Sequence, residues 1–184
     1  MPRYARAAVP LLGAVALTAA LASPAAAATV NRTTVEGETY RLSLTAPDTA
    51  AAAGSNVTVT GSGYNPDQGV YVSLCAIPAG VDTANPATWN NKPTPCLGGQ
   101  DEAGTTGASH WINTDWYWLS PNNSSPYTEA AGRGAFSVQI HVKAKLSDTV
   151  TCGQGGVKCA IVTRADHYDS GDRKYDVYVP VTFQ

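Results

Sequence analysis

In the stretch from Ala135 to Leu146, AFSVQIHVKAKL, apolar and polar residues alternate without a break from Phe136 onward. Phe136, Val138, Ile140 and Val142 fall on one side of an extended chain, and Ser137, Gln139, His141 and Lys143 on the other, because successive side chains of a strand point to opposite faces. A helix would scatter the same apolar residues around its axis. The period recurs along the chain. Tyr40, Leu42 and Leu44 alternate in YRLSL and stop at Pro47-Asp48, and Val57 and Val59 alternate in NVTVTGSGY before the Asn65-Pro66-Asp67 turn. Val177, Val179, Val181 and Phe183 stay in phase at the end, with Pro180 on the opposite phase marking an edge or a bend. VYVSLCAI from Val70 is apolar on both phases, as a central strand requires, and VKCAIVTRADH is a further strand. The alanines from 50 to 53 read as a loop. Six or seven short strands from residue 38 onward, with no amphipathic helix between them, predict an all-β fold and a β-sandwich in particular.

The first 28 residues stand apart. Arg3 and Arg6 precede an apolar run from Ala7 to Ala22, interrupted by Pro10 and Gly13, and the small-residue run ASPAAAA follows. This is the pattern of a cleaved secretory signal peptide, with a mature start expected between Ala27 and Thr29. The apolar run is too short for a comfortable membrane span, and none of spanning length follows. The expectation is a secreted, extracellular protein without a membrane span after cleavage, free or associated with the cell envelope. Removing Arg3 and Arg6 lowers the 12 basic residues to 10 against 14 acidic ones, a formal charge of −4, which argues against a nucleic-acid partner. The 184 residues suit one domain, 29–184, expected to be a monomer.

Between Ile77 and Arg133 the alternation breaks down into a long polar insert, a length of loop that tends to carry function. It holds all four tryptophans, Trp89, Trp111, Trp116 and Trp118, together with Tyr117 and Tyr127. Three readings are open. The rings form a satellite core that pins the insert; or they stack on a sugar or polycyclic ligand; or Tyr117, Tyr127 or His110 binds haem iron. Trp116 and Trp118 would share one side of an extended segment, with Tyr117 on the other. His110, His141 and His167 show no paired-His spacing, no HExxH and no nucleophile elbow, so neither a catalytic residue nor a metal site is expected. Arg164 to His167 and Asp169 to Lys174 form a mixed-charge stretch that reads as a solvated hairpin with surface ion pairs, or else as a ligand rim. Four cysteines in an exported chain point to two disulfides, with three connectivities allowed.

The run GSNVTVTGSGYNPDQGVYVSLC, a second cysteine, then GAFSVQIHVKAKL, VTCGQGGVKCAIVTRADH and a terminal YVPVTF resembles the neocarzinostatin family of actinobacterial secreted apoproteins. The resemblance covers residues 38–76 and 134–184. It implies an immunoglobulin-like seven-stranded sandwich, a cleft for an enediyne chromophore, and the pairings Cys75–Cys96 and Cys152–Cys159. Leu97 to Arg133 has no counterpart in the antibiotic carriers. TGASHWI, VTRADH and the Cys–Pro–Gly-rich insert also resemble, more weakly, the sandwich modules that accompany haem-transport-associated surface proteins of actinobacteria.

Together these readings predict a non-enzymatic binding protein without a cofactor, holding a small apolar or aromatic ligand. The expected ligand residues are His110, Trp111, Trp116, Tyr117 and Trp118. The alternatives are an envelope-adhesion or carbohydrate-binding module, and a haem-uptake accessory protein; the partner is accordingly polycyclic, a sugar or haem.

Overall fold

The computed structural model describes Met1 and residues 26–99, 105–115 and 123–184. Most of the expected signal segment, and Trp116, Tyr117 and Trp118, lie outside the described residues.

Among the described residues, eleven strands build two sheets. The first sheet has the order β1 (Ala27–Glu36), β2 (Glu38–Pro47), β4 (Ser55–Tyr64), β9 (Arg133–Val142) and β8 (Thr128–Ala130). The second runs β3 (Thr49–Ala50), β11 (Val177–Phe183), β10 (Cys159–Ala165), β5 (Val70–Ala76), β6 (Ser109–Ile112) and β7 (Ser124–Ser125). Pairing is antiparallel except where β3 joins β11 and β6 joins β7. The one helical element among the described residues is a 3-10 turn, Pro86–Thr88, capped by the Asn85 side chain. The protein is an all-β sandwich.

The predicted alternation places the core. Leu42 and Leu44 of β2, Val59 of β4 and Ile140 of β9 meet Val72 and Leu74 of β5, Ile161 of β10 and Val179 of β11 in one continuous apolar cluster. Gly61 faces Phe136 across β4 and β9, and a Cβ there would fall 2.2 Å from the Phe136 ring; glycine lets that ring lie flat on the sheet. At one end of the sandwich Tyr64 packs on Phe136 and Tyr127, and its hydroxyl meets Thr163 Oγ1 at 3.0 Å. Full burial of that phenol drives its pKa well above the ordinary value.

Two expectations change. β1 lies upstream of the predicted first strand, and it begins at Ala27, where the expected mature start falls. The stretch 77–133 also proves to be more than an insert outside the strands: it supplies β6 and β7 to one sheet and β8 to the other. These strands are two to four residues long, too short to show a period.

Cys75–Cys96 and Cys152–Cys159 are the two disulfides, and the structure contains no free cysteine. The first ties the 94–97 strip to β5, where Ala76 N donates to Pro95 O and Leu97 N to Leu74 O. The second closes the connection between β9 and β10. No helix among the described residues is long and apolar enough to cross a membrane.

Candidate functional site

Alternation within β5 turns Val70, Val72 and Leu74 to the core and Tyr71, Ser73 and Cys75 to the outer face of the second sheet. Antiparallel register then sets Trp111 of β6 opposite Tyr71 on one flank and Arg164 of β10 opposite it on the other. Three strands thus place an indole, a phenol and a guanidinium in one row. Tyr71 and Trp111 have ring centroids 6.1 Å apart, and the Arg164 guanidinium lies 5.4 Å from the Tyr71 ring.

The turn after β10 completes the cluster. Asp166 N donates to Gly69 O at 3.0 Å, returning the chain to the start of β5. The Asp166 carboxylate is 3% exposed; Oδ2 accepts the Trp111 Nε1 proton at 3.1 Å and Oδ1 accepts the Tyr168 amide at 3.1 Å. A Cβ on Gly69 would come within 2.0 Å of that Oδ2, so a side chain there would displace the carboxylate. His167 packs edge-on to Trp111 at 5.1 Å and against Tyr168 at 4.1 Å, and its Nδ1 meets the Tyr71 hydroxyl at 2.8 Å. Tyr71 is buried, Trp111 half-buried and His167 exposed, while Tyr168 is 65% exposed. Beside them a hollow of about 180 Å³ is lined by Asp67, Gly69, Trp111, Asn113, Asp166 and Tyr168. Asn113 Nδ2 is buried and has no hydrogen-bond partner among the described residues.

The predicted site residues separate. Trp111 belongs to this cluster. His110, one residue earlier, lies opposite the core residue Val72 and bonds Ser125 Oγ at 3.0 Å through Nε2. Burial lowers its pKa, so the ring is neutral at pH 7. Trp89 joins the core: it is fully buried, packs edge-on to Tyr178 at 5.2 Å, lies under the Arg32 guanidinium and donates from Nε1 to Asp82 O at 2.7 Å. Tyr127 is likewise core, with its hydroxyl donated to Gln68 O at 2.9 Å. His141 stands on the outer phase of β9 and bonds Asn56 Oδ1 at 3.0 Å. Among the described residues no group of three or more His, Cys, Asp or Glu could hold a metal ion.

The reading of 164–174 as a solvated hairpin fails at Arg164 and Asp166, which are buried, and holds for the exposed stretch from His167 to Gly171. Sequence reasoning also passed over Tyr71 and Tyr168 as members of this ring cluster. The available signal was the apolar character of both phases of β5 and β10: a sheet apolar on both faces is covered on both faces. No protein-family model matches the chain, and no curated protein or solved structure matches it.

Proposed function

We propose that this chain is an exported, non-enzymatic binding protein of the neocarzinostatin-like type, which holds a small ligand by an aromatic face against Trp111, His167 and Tyr168. In this reading the seven strands of seven residues or more, β1, β2, β4, β5, β9, β10 and β11, make an immunoglobulin-like frame. The observation that carries it is the ring cluster itself. His167 and Tyr168 expose aromatic surface while a buried carboxylate anchors the turn that presents them. Such preorganised aromatic area adjoining a polar hollow is the ordinary composition of a small-ligand site.

Tyr168 offers the clean test, because most of its ring touches solvent rather than core. N-phenyl-1-naphthylamine, a neutral aromatic probe, should gain fluorescence on the protein. Tyr168→Ala should weaken that binding about tenfold while stability changes by about 0.5 kcal/mol or less. Equal probe affinity in the variant, or no binding by the native protein, overturns the reading.

A sugar ligand is the second reading. It is favoured by the hollow, which Asp67, Asn113 and Asp166 line together with Trp111 and Tyr168. Binding to a glycan array, lost in Tyr168→Ala, would establish it over the aromatic ligand.

A further inference from the structure

Three chain segments wall the hollow beside Trp111, and hydrogen bonds tie them together. The segment after β6 is joined to the Asn65-Pro66-Asp67 turn by Thr114 Oγ1, which donates to Pro66 O at 3.2 Å. The turn after β10 is joined to the start of β5 by Asp166 N and Gly69 O. Asn113 opens the first of these segments. Alternation from Trp111 through the core residue Ile112 returns residue 113 to the outer face, and its backbone N–H extends the β6–β7 pairing by donating to Ser125 O at 3.1 Å.

The Asn113 side chain is held at one end only. Oδ1 accepts the Asp115 amide at 2.8 Å, so the other end of the carboxamide is the donor. Asn113 is 4% exposed and lines the hollow, and Nδ2 has no acceptor among the described residues. A buried donor left in this state is costly and calls for an acceptor from outside the chain. The surroundings limit what that acceptor can be. Asp67, Asp115, Asp166 and Asp169 line the same hollow, and among the described residues no lysine, arginine or histidine does. Four carboxylates repel an anion. An ammonium ion has no lone pair to offer Nδ2. A hydroxyl meets both demands at once, with a lone pair for the amide and a proton for a carboxylate. Asp67 and Asp169 are exposed and form no ion pair among the described residues, so their oxygens are free to take that proton.

We infer that the hollow seats a hydroxyl-bearing ring of the ligand, whose oxygen accepts from Asn113 Nδ2 and whose proton is donated to a carboxylate of the wall; this rests on the ligand-binding reading above. The hollow, about 180 Å³, has the size for one ring, since a cavity of about 150 Å³ admits benzene. The ring is a phenol in an aromatic ligand and a pyranose in a glycan, and the hydroxyl is common to both.

The probe pair is 2-naphthol and naphthalene, which share a ring frame and differ in the hydroxyl. In equilibrium dialysis the native protein should bind 2-naphthol about tenfold more tightly. Asn113→Leu, similar in shape but without a donor, should erase most of that preference and leave naphthalene affinity unchanged. Asp67→Ala, at an exposed position, should lower 2-naphthol affinity severalfold with folding intact. For a glycan ligand the same dependence is read on the array, where the signal should vanish in Asn113→Leu. Equal affinity of the native protein for the two probes, with no array signal that depends on Asn113, overturns the hydroxyl seat; binding of N-phenyl-1-naphthylamine then leaves the ligand-binding reading standing, and its absence overturns both. A 2-naphthol preference that survives in Asn113→Leu overturns the seat as well. Should Asn113→Leu fail to fold by circular dichroism, Asn113→Asp keeps the acceptor for the Asp115 amide and removes the donor, and unchanged 2-naphthol affinity in both Asn113→Asp and Asp67→Ala overturns it.

Discussion

Asp176 has no exposed surface, one carboxylate oxygen on Arg173 and the other, Oδ1, without a partner among the described residues. Burial raises its pKa from an ordinary value near 3.8 to about 7, against the opposing pull of Arg173, Arg32 and Arg164. The folded protein therefore binds this proton more tightly than the unfolded chain does. The stability it contributes is fully present below about pH 4 and is lost as the pH rises through 7. Thermal melts between pH 5 and 8 should show a decline worth about 2–4 kcal/mol from this group. Asp176→Asn, which cannot titrate, should flatten the slope. An unchanged slope in the variant would show that other groups set the pH dependence.

At the scale of elements, the 77–99 segment is held at two points. Cys96 fastens one end to β5, and Trp89 fills the space against Tyr178. The tryptophan question raised by the sequence thus has different answers at different positions. Trp89 packs, whereas Trp111 stands at the edge of the ring cluster with its Nε1 proton committed to Asp166. Trp89→Ala removes a fully buried indole, takes from the Asp82 carbonyl one of its donors (Asn85 N and Thr88 Oγ1 remain) and bares Arg32, so it should cost about 3–5 kcal/mol. Chemical denaturation should register the loss, with the affinity of folded molecules for N-phenyl-1-naphthylamine unchanged. A variant as stable as the native protein would mean that the segment needs no such pin.

The molecule as a whole joins two sheets through one apolar cluster and adds two covalent ties across connections of unequal length. Cys75 and Cys96 are 21 residues apart and Cys152 and Cys159 only 7. In the chain-entropy view the closures are worth about 3.4 and 2.5 kcal/mol, so replacing Cys75 and Cys96 by alanine should lower the melting temperature more than replacing Cys152 and Cys159. Calorimetry of the two double variants measures the difference. The reverse order would locate the main constraint in the β9–β10 connection.

What the sequence determined by itself is whatever is local. The inward sides of β2, β4 and β9 are legible as Tyr40-Leu42-Leu44, Val57-Val59 and Phe136-Val138-Ile140-Val142, because period 2 and burial on one face are the same fact in an extended chain. β1 escaped that logic, since its inward-leaning set includes Arg32 and Thr34 beside Val30 and so shows no apolar stripe. Cysteine count implied two bridges, but the pairing came through the family resemblance, spacing alone leaving three connectivities open. The row of Arg164, Tyr71 and Trp111 was decided only by the tertiary structure. Those residues are separated by tens of positions and share no motif; they meet because two antiparallel registers bring β10 and β6 against opposite sides of β5. Register between strands distant in sequence depends on the packing of both sheets at once, and no window of the chain contains it.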